Sequence, residues 1–311
     1  GGYMDADGNL RPDRTYEGEG GLDLAIAPAD GRLSLTAYRR RESHRRPYLV
    51  GYTGFLVPLP AVRRVVNGLE LDGRIVPVAT SAVRLETKLG FTLQADRVRS
   101  ETSGPLGLIV DQYDFLSRLS MLQGRSFSSW ISTPYTYADT NRDGRLDVLT
   151  GAAPSVVGRS RPSRFGTLDT RLTLAQHWTL AANLGYAGGH KVLDKVESIR
   201  CRVRICAAAQ GASLADQAHV QMMGGPEYFV PGDALRVHEL SLAYGAPGLA
   251  RLTRAGGVRV TIAARNLATF SHARYLDPET ELPLPGIEGD VVQDPGLALQ
   301  RTLVIRLTAT Y

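Results

Sequence analysis

The amino-acid sequence predicts an all-β chain, an antiparallel transmembrane β-barrel segment of about nine strands. Three observations predict it. Apolar and polar residues alternate with a period of two, over segments longer than ordinary strands. The connections sort into short and long in strict alternation. The last strand keeps its pattern to a final aromatic residue.

The clearest segment is 83–96. Val83, Leu85, Leu89, Phe91 and Leu93 share one parity, and Arg84, Glu86, Lys88, Thr92, Gln94 and Asp96 the other. This pattern puts the leucines on the outer, convex face and the charges on the concave one, because a lysine at the lipid midplane costs roughly 2–4 kcal/mol. Eight further segments alternate the same way: 15–28, 32–42, 63–77, 164–175, 178–190, 235–245, 258–270 and 298–311. About nine to eleven residues cross a membrane as a tilted strand, and these segments are long enough. Short connections fall at 29–31, 78–82, 175–177 and 246–257; long ones fall at 43–62, 99–163, 191–234 and 271–297. Short turns at one end and long loops at the other are the mark of an outer-membrane barrel. Trp178, Tyr186, Tyr244, Phe270 and Tyr311 stand near strand ends, where interfacial aromatic girdles lie. Nine strands in alternation leave the first and last parallel. The sheet is therefore expected to stay open, with both as unpaired edges.

In the closing stretch, 301–311, Leu303, Ile305, Leu307, Ala309 and Tyr311 alternate with Thr302, Arg306, Thr308 and Thr310. Chain ends are usually polar and frayed; this one is patterned as a strand of the wall.

Composition sets the frame. The 311 residues are 43% hydrophobic and 22% charged, which excludes a disordered chain. Gly (33) and Pro (17) cluster between the alternating segments, as turns require. No run approaches the ~18 apolar residues of a membrane helix. The start is polar, lacks a signal peptide and an initiator methionine, and reads as a cut inside a longer protein. The net charge is +5, and the densest basic run holds Arg39, Arg40, Arg41, Arg45 and Arg46. Such a run could grip phosphates of nucleic acid or lipid headgroups, or it is a solvated strand end; nucleic acid is the least favoured reading.

Few residues carry recognisable chemistry. Asp139, Asn141, Asp143 and Asp147 stand at relative positions 1, 3, 5 and 9, with Gly144 at 6 and the Arg145 carbonyl available at 7. That is most of a calcium loop, although position 12 is Thr150 instead of the bidentate Glu. The competing reading is a polar Asx-type turn. Asp5, Asp7 and Asn9 form a fragment too incomplete to count. Glu17, Glu19 and Asp23 share the polar parity of the first strand and would line a lumen. The six histidines are scattered, Gly245-Ala-Pro-Gly248 lies in a strand-to-strand turn, and no nucleophile elbow, Walker loop or zinc motif occurs, so no enzyme is expected. Cys201 and Cys206 leave a local disulfide and two free thiols both open.

Six motifs, in order along the chain, resemble the C-terminal part of SusC/RagA-type TonB-dependent outer-membrane transporters. The stretch RTYEGEGGLDLAIAPADGRLSLTAYRR resembles the family's "yEvGld" and "Rlsltv" strand pair. VVNGLELDG resembles "NrGvEl", one residue shorter between Asn67 and Glu70. YADTNRDGRLD resembles the "DxNGDGxID" loop, with Arg142 in place of a glycine. DALRVHELSLAYGAP resembles "sFlRlrnitLgYtlP". VRVTIAARNLATFSHARYLDPE resembles "lrvyvsgqNLftwtkYkGyDPE", with Arg265-Asn266-Leu267 and Asp277-Pro278-Glu279 in place. RTLVIRLTATY resembles "PRtftlGlnltF".

The resemblance implies a 22-stranded barrel of which residues 1–311 are the C-terminal part, with the plug, the TonB-interacting segment and the earlier strands lying outside them. It implies a Gram-negative-type outer membrane, TonB-driven import of an oligosaccharide or peptide too large for porins, and a SusD-like lipoprotein lid. The final strand resembles the signal read by the barrel-assembly machinery. No cofactor is required beyond the possible calcium at 139–147. Two rivals stand beside this: a secreted calcium-stabilised β-sandwich or adhesin module, and a β-rich glycan hydrolase, which lacks an evident carboxylate pair.

Overall fold

The structure, a computed structural model, describes residues 2–4, 10–12, 14–27, 30–45, 48–50, 56–58, 62–100, 108–112, 117–222, 224–273, 281–283, 291–293 and 299–311. Nine strands form one sheet in chain order: β1 (Arg14–Ile26), β2 (Gly31–Arg45), β3 (Val62–Ala79), β4 (Val83–Ser100), β5 (Arg164–Leu174), β6 (Trp178–Gly188), β7 (Ala234–Gly245), β8 (Gly257–Ser271) and β9 (Thr302–Thr310). Every neighbouring pair is antiparallel. Each segment read from the alternation lies on one of these strands, with ends shifted by a few residues. β1 and β9 are the sheet's two edges, as expected.

Chain order and uniform antiparallel pairing place the links after β1, β3, β5 and β7 at one end. These are the short ones. Three are tight turns; the fourth, expected as a turn at 246–257, contains helix α3 (Pro247–Thr253). Its start was written in the sequence, since proline fits the first helical position. The four long links all leave the opposite end.

The register turns the period of two into two different faces. One apolar row passes from Leu22 through Leu35, Leu71, Phe91, Tyr186 and Leu235 to Phe270. Another joins Leu180, Leu242, Ile262 and Ile305. This face is exposed: on β9, Leu303, Ile305 and Leu307 are 69%, 71% and 68% accessible. The aromatics mark its two limits. Trp178 packs against Tyr244 at 4.5 Å at the turn end, where Tyr311 also lies, and Tyr186 and Phe270 sit toward the loops. Eight residues separate Trp178 from Tyr186. That is roughly 26 Å along the strand before tilt, matching an apolar band about 25 Å tall.

Two local features explain parts of the motifs. Gly68 faces the Tyr38 ring across β2 and β3, and a Cβ there would fall 2.2 Å from ring carbons, so the ring needs a glycine beneath it. Asn266 holds φ 52° at a bulge of β8, where 266 and 267 oppose the single residue 238; its Nδ2 donates to the Gln300 carbonyl at 3.0 Å. Asn tolerates that left-handed geometry. Asp277, Pro278 and Glu279, and the fragment at 5–9, lie outside the described residues, as does Arg46.

Candidate functional site

The charged parity lines a groove of about 660 Å³. Glu86 and Lys88 of β4, Asp169 and Arg171 of β5, Asn183 of β6, Glu239 of β7 and Arg265 of β8 contribute to it. Five adjacent strands of one sheet line it from a single side, as on the inner face of a curved sheet. The charges are therefore on the concave side and the leucines on the convex side, as the pattern at 83–96 requires. The groove's groups are paired across strands: Arg74 Nε donates to Glu86 Oε1 at 2.8 Å, Arg265 Nε to Glu239 Oε2 at 2.8 Å, and Asn183 Nδ2 to Asp169 Oδ1 at 2.5 Å. At the far edge Arg32 and Ser34 hold Asp23 at 2.9 and 2.7 Å, and Arg40 stands 3.7 Å from Glu17. Thus Glu17 and Asp23 fall on the lumen-facing side, as their parity indicates. The surface offers alternating donors and acceptors suited to a polar ligand.

Above the groove, at the loop end, a charged cluster joins the wall to the loops. The Asp96 carboxylate of β4 accepts from the Ser126 hydroxyl and the Phe127 N–H, both at 2.7 Å, and pairs with Arg159 and with Arg64 at 3.3 Å. Arg64 also lies 3.7 Å from Glu42 and stacks its guanidinium 4.9 Å from the Phe127 ring centroid.

Described residues of the links 99–163 and 191–234, expected as loops, form a packed cap. Its core gathers Val98, Phe127, Trp130, Leu193, Cys201, Cys206, Tyr228 and Phe229. Small strands at Ser129–Ser132 and Ser155–Arg159 pair beside one another, and helices α1 (Lys195–Arg202) and α2 (Leu214–Gln221) complete it. The helices had legible starts. Asp194 and Ser213 cap them, accepting from the N–H groups of Glu197 and Asp216 at 2.9 and 3.1 Å. Cys201 and Cys206 form a disulfide, with Cα atoms 4.7 Å apart, in the middle of this core. Closing so short a loop contributes about 2 kcal/mol. Replacing both cysteines with alanine is expected to lower the cap's unfolding free energy by about that amount, read by denaturant titration.

The Asp-rich loop joins the strands Tyr135–Ala138 and Val148–Gly151. Its side chains turn onto their own backbone. Asp139 accepts from the N–H groups of Arg142 (2.6 Å), Asp143 (3.2 Å) and Gly144 (2.8 Å); Asn141 accepts from Asp143 at 2.9 Å, and Asp143 from Arg145 at 2.8 Å. The Thr140 hydroxyl and N–H, with the Asn141 N–H, bind Asp147 and hold its carboxyl below the usual range. Side chains bound to their own backbone in this way give the polar Asx-type turn, the competing reading of this stretch. Thr150 is committed to a ladder opposite Thr136. Among the described residues, ligand atoms gather in threes only at Glu197, Cys201 and His219, and that cysteine is bridged. The loop instead receives α2: the Leu146 N–H donates to Gln217 Oε1, and Gln217 Nε2 donates to the Gly144 carbonyl, each at 2.9 Å.

Arg142, which departs from the motif's glycine, holds φ 65°. A side chain is strained there. Arg142→Gly is expected to stabilise the protein by about 0.5–1 kcal/mol, measured as a raised midpoint in thermal unfolding.

No family model matches this sequence, and no curated protein does either. Solved structures do match. One, described as the RagAB peptide transporter, shares 16% identity at a TM-score of 0.69, over 86% of this chain and 33% of that chain. The RagAB peptide importer in an "open-open" state matches 96% of this chain and 34% of that one, at 14% identity and a TM-score of 0.69. Its "closed-closed" state gives 13%, a TM-score of 0.64 and coverages of 87% and 35%. The chain has the fold of part of a RagAB transporter chain. It spans about a third of the length of those RagAB chains, and at this identity the likeness to RagAB is one of fold. The nine-stranded wall, its turn end and its loop cap are thus read on a RagAB-like frame.

Proposed function

We propose that this chain is wall and loop cap of a SusC/RagA-type TonB-dependent importer in a Gram-negative-type outer membrane, taking up a large nutrient such as an oligosaccharide or peptide. A SusD-like lipoprotein would meet the cap, TonB would act through a segment beyond this sheet, and the barrel-assembly machinery would read β9. The protein's share is binding and gating, without bond chemistry.

One observation carries this reading: the convex face is apolar, exposed and uncovered across nine strands, whereas the concave face is charged and grooved. A sandwich buries one face of each sheet against the other. Leucines left nearly 70% accessible on β9 speak for lipid, and so the adhesin reading is disfavoured.

The two tryptophans test it. Trp178 lies on the convex face at the turn end, and Trp130 is buried in the cap. In full-length protein reconstituted in bilayers, the fluorescence lost on Trp178→Phe should be fluorescence that lipids brominated near the interface quench, and that lost on Trp130→Phe should not. Fluorescence unmoved by them, with a protein soluble without detergent, would refute the membrane wall. Uptake of labelled peptides and oligosaccharides by cells carrying the protein then separates the two nutrient classes.

A further inference from the structure

The arginines on the convex face take no part in the groove or the cap. The last leucine row toward the loops is Gly20, Ala37, Leu69 and Leu93. The next row holds Gly18, Arg39, Asn67 and Ala95, and the one beyond it Tyr16, Arg41, Val65 and Arg97. Strict alternation puts Arg39 and Arg41 on the side of Leu33 and Leu35, and Arg97 on the side of Phe91 and Leu93. Rows are about 7 Å apart, so these arginines begin roughly 7 and 14 Å beyond the last leucines. Arg41 and Arg97 flank Val65, roughly 10 Å from each other.

All three are exposed, and none has an ion pair or side-chain hydrogen bond among the described residues. On the concave face Arg40, Arg64, Arg74 and Arg265 each stand 2.8–3.3 Å from a carboxylate, whereas Arg84 and Arg171 share that face without one among the described residues. Another convex arginine at this end, Arg164, has Asp233 at 3.1 Å. At the turn end, the convex positions of the described strands carry aliphatic and aromatic residues and no arginine. Convex arginines are thus confined to one side of the apolar band among the described strands.

The geometry points to Arg39, Arg41 and Arg97, with Tyr16 at their edge, as a docking surface for phosphate-bearing headgroups of the outer leaflet. Charge complementarity calls for an anion, and the guanidinium fork matches phosphate oxygens in pairs. Continuity with the leucine rows calls for an anion attached to acyl chains, which lie on those rows while its phosphate meets the arginines. The proposal rests on the membrane reading above. It adds to it a specific lipid contact on the outer wall.

Full-length protein in neutral detergent, titrated with phosphatidic acid or phosphatidylcholine and followed by native mass spectrometry, tests it. An arginine near an anionic surface contributes about fivefold in affinity, so Arg39→Gln, Arg41→Gln and Arg97→Gln together should weaken phosphatidic acid binding on the order of a hundredfold. A control removing the same charge from exposed cap arginines (Arg142→Gln, Arg145→Gln, Arg204→Gln) should stay near wild type, and millimolar inorganic phosphate should not displace the lipid. Equal binding of both lipids, an unchanged triple variant, an equal loss in the cap control, or full competition by inorganic phosphate would each overturn the docking surface. A protein that takes up neither lipid and needs no detergent would overturn the membrane wall as well, a result visible already in the phosphatidylcholine arm.

Discussion

Replacing Asp96 with alanine is expected to cost about 3–5 kcal/mol, because removing one member of a buried charge cluster strands the others. Its side chain is 9% accessible and that of Arg64 10%. Without the carboxylate, Arg64 and Arg159 face one another, and Ser126 and the Phe127 N–H lose their acceptor. Asp96→Asn keeps the shape and some of the hydrogen bonds, and should cost less. Hydrogen exchange separates the effects by place: amides around 124–131 should lose protection in Asp96→Ala, while those of β6 and β7 keep theirs. Wild-type protection at 124–131 would mean that the cap is held by its apolar core alone.

Acid should loosen the same cap through His190. Its ring is buried beneath Gly232, both ring nitrogens lack a hydrogen-bond partner, and burial lowers its pKa to about 4. The nearby Asp233 opposes that shift and Arg159 adds to it. Burial pushes Asp233 itself upward, but the Tyr186 hydroxyl, the Gly189 N–H and Arg164 more than offset this and keep it ionised. A histidine whose folded pKa lies below its unfolded value of about 6.5 gives stability that is full above pH 6.5 and lost as pH falls toward 4. The loss should reach about 2 kcal/mol at pH 5 and about 3 kcal/mol at pH 4, relative to pH 7. Cap unfolding followed through Trp130 should show this slope, and His190→Phe should flatten it between pH 6.5 and 4. Carboxylates such as Asp233 titrate lower, so an unchanged slope in His190→Phe would assign the acid sensitivity to them.

How much of this could be read in the sequence differed sharply between wall and cap. β4 is legible because a charge on the lipid face is costly and the lumen-facing side is polar, so 83–96 alternates, and the alternation stops where Arg97 and Val98 begin the loop end. The cap answers to no such boundary. Phe127–Ser132 is wholly buried yet three of its six residues are serines, whose hydroxyls find partners such as the Gly224 carbonyl at 2.8 Å. Its core joins Trp130 to Cys201 and Phe229, residues distant in the chain with no common period. The capping pairs Asp194 with Glu197 and Ser213 with Asp216 were visible, but eight-residue helices are too short for a periodic stripe to confirm them. The Asp-rich loop was read for its carboxylates. Its docking onto α2 runs through Gln217, a residue with nothing in its own neighbourhood to mark it.

Nine antiparallel strands also restrict how copies of this sheet can meet. Setting β9 of one copy beside β1 of another repeats the sheet by simple rotation about the membrane normal, yet it joins parallel strands and interrupts the antiparallel pattern. Setting β9 beside β9, or β1 beside β1, restores antiparallel pairing through a two-fold axis across the sheet. That operation turns one copy upside down, so its loop cap would emerge among the other's turns. A ring of identical sheets in one bilayer would therefore carry a parallel seam at every junction. Closure with antiparallel neighbours throughout needs an odd number of further strands between the two edges.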